Sequence, residues 1–232
     1  MAAQGKTTGV KYPGVVVIVP LYNEEAVIGA VIDSLHKNFD TVVCVDDGSR
    51  DASAAIAEAA GATVIRHPYN LGQGAALQTG FVYARSLPNT QYVVTFDADG
   101  QHRVEDVVGM LALAEEKNLA IVFGSRFLDR RTKPGFAKKT VLKVAVAITR
   151  TVTGLKITDA HNGLRVIRRD ALEHVNLIQD RMSHATEIVQ QLAKTKMRLR
   201  EYPVEVLYTE YSRKKGQSLL NSINILFDLI VR

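Results

Sequence analysis

Residues 92–101 read Tyr92-Val-Val-Thr-Phe-Asp-Ala-Asp-Gly-Gln101. A run of strand character, Tyr92 to Phe96, ends in two aspartates one residue apart. Two carboxylates at the end of a buried strand are costly to desolvate unless something positive sits between them. Hard divalent cations take such oxygen ligands, and a magnesium-like ion is commonly held by one or two carboxylates plus substrate phosphates. Asp97, Asp99 and Gln101 are therefore candidates for a metal and diphosphate site. An Asp-rich turn that caps the following helix is the alternative reading of the same residues.

Working outward, strands and helices alternate on both sides of this stretch. A β-branched run over 15–19, bounded by Pro13-Gly14 and Pro20, reads as a buried strand. Val27, Val31, Ile32 and Leu35 fall at helical spacing within 24–39. A second strand over 41–45 closes with Asp46-Asp47-Gly48-Ser49, and a helix over 51–60 leads to a strand at 63–66. Asn70-Leu-Gly-Gln-Gly74 opens a helix to about 86, and after the acidic stretch come a helix over 105–117 and a strand over 120–123. The spacing predicts an α/β fold: a doubly wound, mostly parallel sheet with helices on both faces. In such folds ligands bind at the carboxyl ends of the strands. The polar clusters Tyr22-Asn23-Glu24, Asp46-Asp47, 70–74 and 97–101 all fall there.

The second half predicts a helix over 140–154, a turn over 158–163, a strand over 164–167, a helix over 183–193 and strand character over 199–208. The glycines at 72 and 74 lack the Lys and Ser/Thr of a P-loop, and no Gly-x-Gly-x-x-Gly follows the first strand. Nucleotide hydrolysis by a P-loop and dinucleotide-dependent redox chemistry are thereby disfavoured.

The 232 residues, 47% of them apolar, suit one domain. The expected division is a flexible tail over 1–13, a catalytic domain over 14–217 and an amphipathic helix over 218–232. The lone Cys44 excludes an intrachain disulfide or a cysteine metal cluster and favours a reducing compartment. No signal-peptide pattern opens the chain, and no run reaches the roughly 18–20 apolar residues that span a bilayer. Charge is uneven: 8 basic and 14 acidic residues in 1–125, against 21 and 10 in 126–232. A basic second half suggests an anionic partner, whether phosphate, nucleic acid or acidic lipid. A nucleic-acid module would interleave aromatics with those cations, and the second half offers few beyond Tyr202, Tyr208 and Tyr211.

Several motifs together resemble the family 2 glycosyltransferases, in particular the polyprenyl-phosphate glycosyltransferases typified by dolichol-phosphate mannose synthase. They are Pro20-Leu-Tyr-Asn-Glu24, Val45-Asp-Asp-Gly-Ser-Arg-Asp51, Asn70 to Gly74, Asp97 to Gln101, Gly124-Ser-Arg126, Thr158-Asp159 with Gly163-Leu-Arg165, and Tyr211-Ser-Arg-Lys-Lys-Gly-Gln-Ser218. The likeness implies a GT-A fold, Mg2+ or Mn2+, and inverting transfer of a sugar from a UDP- or GDP-linked donor to a polyprenyl phosphate. It implies that Tyr22 packs on the base, with Pro20, Asn23 and Glu24 shaping the pocket and Asp47 accepting a hydrogen bond from the base. It places Gly72, Gly74, Asp97 and Ala98 against the nucleotide-sugar. Asp99 is implied as the main metal ligand, supported by Asp97 and Gln101. Cations for the phosphates are expected from Arg126, Lys138 and Arg213, with Arg131 and Lys139 beside them.

The likeness also places a catalytic carboxylate at Asp159. It is a general base for a hydroxyl acceptor, or it orients Arg165 or a sugar hydroxyl. A phosphate acceptor needs no base, since its second pKa is about 6. His161 and Glu187 are further candidates for the cleft. The basic residue that often follows the serine of the last motif is absent at Leu219, and the chain ends at Arg232 without the membrane helices many relatives carry. Attachment is then expected through the 218–232 helix, to the cytoplasmic face of a membrane or to a small membrane protein. A glycan or small-molecule hydroxyl acceptor is the alternative within catalysis.

Overall fold

Strand β1 (Val15–Leu21) is the hub of the sheet: it pairs in parallel with β2 (Thr41–Asp46) on one side and with β4 (Tyr92–Thr95) on the other. The computed structural model describes residues 12–129, 146, 150–151, 153–159, 162–179 and 184–207. Strand β3 (Thr63–Arg66) pairs in parallel with β2. Beyond β4 lie β6 (Arg165–Arg168), β5 (Ile121–Ser125) and β7 (Leu199–Pro203), giving the order β3-β2-β1-β4-β6-β5-β7. Strand β6 is antiparallel to both of its neighbours, while β5 and β7 are parallel. The mostly parallel sheet is as the alternation predicts.

Alternate residues of β1 feed two cores, because successive side chains in a strand point to opposite faces. Val15, Val17, Val19 and Leu21 join one cluster with α1 (Ile28–His36) and α4 (Val104–Glu116). Val16 and Ile18 join the other, with α3 (Gln73–Ser86), α5 (Arg169–Leu172) and α6 (His184–Lys194). Helix α2 (Ser53–Ala59) contributes Ala57 to the first face. The sheet is therefore covered on both sides, which is why its strands read as continuous apolar runs rather than alternating ones. Cys44 is fully buried in this core, and burial pushes its thiol up to about 12, as expected of an inert packing residue.

The helix expected from residue 24 begins only at Ile28, since the Glu24 carbonyl accepts the amides of Val27 and Ile28 in a preceding turn. Of the helix expected over 140–154, residues 146, 150, 151 and 153 are described and are helical. The strand expected over 199–208 ends at Pro203, which pairs with Ser125 at the edge of the sheet, and the Val204 N–H makes the last bond to the Ser125 carbonyl.

Candidate active site

Strands β1, β2, β4 and β5 all end at one edge of the sheet, and the antiparallel β6 begins there. The loops at that edge enclose a cavity of about 700 Å³. Pro20, Tyr22 and Glu24 line it from β1, Asp47 from β2, and Asn70, Gly72 and Gln73 from the entry to α3. Asp97, Ala98, Asp99, Gln101 and His102 enter from β4, Arg126 from β5, and Asn162, Gly163 and Arg165 from the approach to β6. Tyr22 stands at the rim, 41% exposed.

The acidic stretch is held in a fixed arrangement. His102 Nε2 donates to Asp97 Oδ2 at 2.9 Å, and Gln73 Nε2 lies 3.3 Å from Asp97 Oδ1. Asp99 accepts the Gln101 amide N–H at 3.0 Å and its side-chain Nε2 at 2.7 Å. Burial pushes the Asp97 carboxylate up, but the His102 hydrogen bond and the charges of His102, Arg165 and His184 outweigh it and hold Asp97 below the ordinary range. Asp99 is raised to about 6, first by burial and then by the negative charge of Asp97. A pair of hard oxygen donors, one residue apart and facing a cavity, fits a divalent cation. No group of three or more His, Cys, Asp or Glu forms a metal cluster among the described residues. Asp97 and Asp99 would thus hold Mg2+ or Mn2+ together with oxygens from a substrate, which is the habit of Mg2+. The Gln101 amide nitrogen is committed to Asp99, which leaves only its carbonyl oxygen for a metal.

Asp47 is a loop clamp. Its Oδ1 accepts the Leu71 N–H at 2.9 Å and faces His67 Nδ1 at 2.8 Å, and its Oδ2 accepts the Gly72 N–H at 2.7 Å. His67 Nε2 lies 2.9 Å from Thr79 Oγ1 on α3. A carboxylate offers about four acceptor sites, so three are taken. Gly72 itself has φ of 100°, a conformation side chains avoid, and it directs the chain from this clamp into α3.

On the other wall, Asp159 grips Arg126 with both oxygens, Nε to Oδ2 at 2.6 Å and Nη2 to Oδ1 at 2.8 Å. The Arg126 backbone N–H adds a third bond to Oδ2 at 3.1 Å. Behind them Glu201 of β7 accepts the backbone N–H groups of Thr158 at 2.7 Å and Asp159 at 3.0 Å. Glu201 is raised in pKa by its burial, against the lowering effect of these bonds.

Most of the expected donor-binding and metal residues converge on the cavity: Pro20, Tyr22, Glu24, Asp47, Gly72, Asp97, Ala98, Asp99, Gln101 and Arg126. Four described candidates, Asn23, Gly74, Asp159 and Glu187, do not line it. Asn23, at φ of 52°, ties two loops together, its Oδ1 accepting the Arg50 N–H and its own N–H bonding Ser49 Oγ. Gly74 lacks a side chain for packing, because a Cβ would run into the Gln179 carbonyl and His184. Asp159 is turned onto Arg126 rather than presented to the cavity as a base. Glu187 is likewise a brace, accepting the amides of Ile178 and Gln179. Lys138 and Arg213, with Arg131, Lys139 and His161, lie outside the described residues. His67, His102, Asn162 and Glu201 had no role in the reading of residue types, and Arg165 entered it only as a motif residue for Asp159 to orient. His102 directly follows Gln101, and Arg165 ends the Gly163-Leu-Arg165 motif, so each stood beside a signal.

A doubly wound sheet with an Asp-x-Asp cavity at its carboxyl edge defines a GT-A-type fold. Residues 16–175 match the family described as Glycosyl transferase family 2, and the chain belongs to that family and is a glycosyltransferase. It is 30% identical to the UDP-N-acetylglucosamine–dolichyl-phosphate N-acetylglucosaminyltransferase of Methanococcus voltae, over 92% of this chain and 94% of that one. It is 28% identical to the undecaprenyl-phosphate 4-deoxy-4-formamido-L-arabinose transferase of Shewanella sediminis, over 92% of this chain and 65% of the longer relative. In fold it is similar to glucosyl-3-phosphoglycerate synthase of Mycobacterium tuberculosis in complex with Mn2+, UDP and glucosyl-3-phosphoglycerate. That likeness has a TM-score of 0.67 at 19% identity, covering 94% of this chain and 80% of that one.

Proposed function

We propose that this glycosyltransferase moves a sugar, with inversion, from a UDP- or GDP-linked donor onto a polyprenyl phosphate, in a reaction that depends on Mg2+ or Mn2+. The observation that carries this reading is a single cavity shared by Asp97, Asp99 and Arg126. The names of the two curated relatives, both transferases acting on a polyprenyl-type phosphate, support the acceptor. A cation at Asp97 and Asp99 would supply charge neutralisation to the departing diphosphate. Tyr22, at the rim, is suited to cover the base, and Asp47 keeps one acceptor site for it while it holds the 71–72 backbone. Arg126, oriented by Asp159, is a fixed positive charge for a phosphate oxygen.

The engagement of Asp159 with Arg126 favours a phosphate acceptor over a hydroxyl one. A hydroxyl needs a base to take its proton, whereas a phosphomonoester is already anionic near pH 7, its second pKa being about 6. Membership of a transferase family replaces the nucleic-acid-binding alternative. We place the enzyme at the cytoplasmic face of a membrane, where such a lipid is met. Among the described residues no helix is long and apolar enough to cross a membrane; the amphipathic pattern of the 218–232 sequence is our candidate for contact with the membrane or a partner protein. The test is a screen of UDP- and GDP-sugars against a polyprenyl phosphate with Mn2+ or Mg2+, reading lipid-linked sugar. Transfer to a soluble hydroxyl acceptor with none to the lipid would sink the acceptor assignment.

A further inference from the structure

The polar side chains around the cavity divide by whether a partner claims them. Arg126 is claimed by Asp159, His102 by Asp97 and the Gln101 amide by Asp99. Arg165 is different. It is 2% exposed and lines the cavity, yet its guanidinium makes no hydrogen bond and no close ion pair with any described residue. The acids whose charges it feels are Asp97 and Asp159, and each is already bonded to another side chain. Three residues earlier, Asn162 is 4% exposed and also lines the cavity. Its Oδ1 accepts the Leu164 N–H at 2.9 Å, which fixes the amide and leaves Nδ2 as a buried donor with no partner among the described residues.

Unmet donors that face a cavity from a buried position are expensive to keep. A guanidinium has five donors and no acceptor, and its planar fork matches a phosphate or carboxylate. Arg165 and Asn162 enter on the same side of the cavity as Asp97: Arg165 pairs in register with Thr95 of β4, two residues before Asp97. We infer that Arg165, seconded by Asn162 Nδ2, is a phosphate-oxygen site separate from the Arg126–Asp159 pair. The inference rests on the reading of the cavity as a sugar-nucleotide site. One ligand chemistry has two sources there, the diphosphate of the donor and the phosphate of the lipid acceptor.

The experiment measures binding of inorganic pyrophosphate, of UDP or GDP and of the corresponding nucleoside, each with Mn2+, to the wild type, Arg165→Gln and Arg165→Lys. Thermal stability of the empty proteins and the KM for polyprenyl phosphate complete the set. Arg165→Gln is expected to weaken pyrophosphate and nucleoside diphosphate by about tenfold or more and to leave the nucleoside unchanged. Arg165→Lys, a point charge without the fork, recovers part of the loss and carries the comparison if the glutamine variant fails to fold. Unchanged diphosphate binding with a roughly tenfold higher KM for polyprenyl phosphate assigns the site to the acceptor. No change in either arm, with a fall in stability, overturns the inference and makes Arg165 a counter-ion for Asp97 and Asp159. A wild type that binds no pyrophosphate overturns it as well. A wild type that binds pyrophosphate through Arg165 but no nucleoside diphosphate removes the nucleotide reading and leaves the anion site standing.

Discussion

Asp159 and Arg126 meet at three points, two side-chain bonds and one to the Arg126 amide, with the Asp159 side chain 1% exposed. A pair this buried is worth little against an apolar replacement of the whole pair, but breaking it by removing one partner costs about 3–5 kcal/mol.

A double-mutant cycle follows from that asymmetry. Asp159→Leu and Arg126→Met should each lower stability by about 3 kcal/mol or more, and the double variant by clearly less than their sum. Urea unfolding of the four proteins checks it, and additive losses would show that the two side chains do not act as a unit.

The acidic pair gives a pH prediction. Asp99 is raised from 3.8 to about 6, so its protonated form is the one the fold favours. Its contribution to stability is present at low pH and is lost as pH rises through about 6. In metal-free buffer, Asp99→Asn should therefore match or exceed the wild-type melting temperature near pH 8, with the gap closing toward pH 4. Added Mn2+ should raise the melting temperature of the wild type and not of the variant, by binding the native state alone. A melting curve of Asp99→Asn that responds to Mn2+ as the wild type does would remove Asp99 from the metal site.

Asp47 predicts a local effect. Asp47→Ala should free the Leu71 and Gly72 amides that its carboxylate holds, so hydrogen exchange over 69–74 should quicken while β1 and β4 stay protected. Donor affinity is expected to fall by about tenfold as the loop loses its fixed course. Unaltered exchange in that segment would mean that the clamp is dispensable.

Gly163 predicts a steric effect. A Cβ there would run into the Asp97 carboxylate. Gly163→Ala should displace Asp97 and diminish the Mn2+-induced thermal shift by more than half, while the circular dichroism of the fold is retained. A full Mn2+ response would show that Asp97 has room to yield.

The strands and the site edge were legible because both signals are local. The run 15–19, the run 41–45 and the Asp-rich turns after β2 and β4 each carry their identity within a few residues. Direction and order beyond β4 were not legible. Strand β6 runs antiparallel because the chain after β5 returns to the same edge it left, and nothing in Arg165-Val-Ile-Arg168 states which end it enters from. The pairings that set the chemistry are also remote in sequence, with His67 reaching Asp47 and Asp159 reaching Arg126 across 20 and 33 residues. Asn23, Gly74 and Glu187 show a related limit: a polar or small residue near the site edge reads the same whether it touches a ligand or braces the segment beside it.

The reversed strand β6 has a consequence for how this enzyme can diversify. Residues 126–164 leave the sheet at Ser125 and rejoin it at Arg165, both on the active edge. That connection sends Val146, Ile157 and Leu164 into the cores that also hold β1, β2 and β4, so it can vary only between those anchors. Change between those anchors would alter the wall that carries Arg126 and Asp159 and leave Asp47, Asp97 and Asp99 on the strands that hold them.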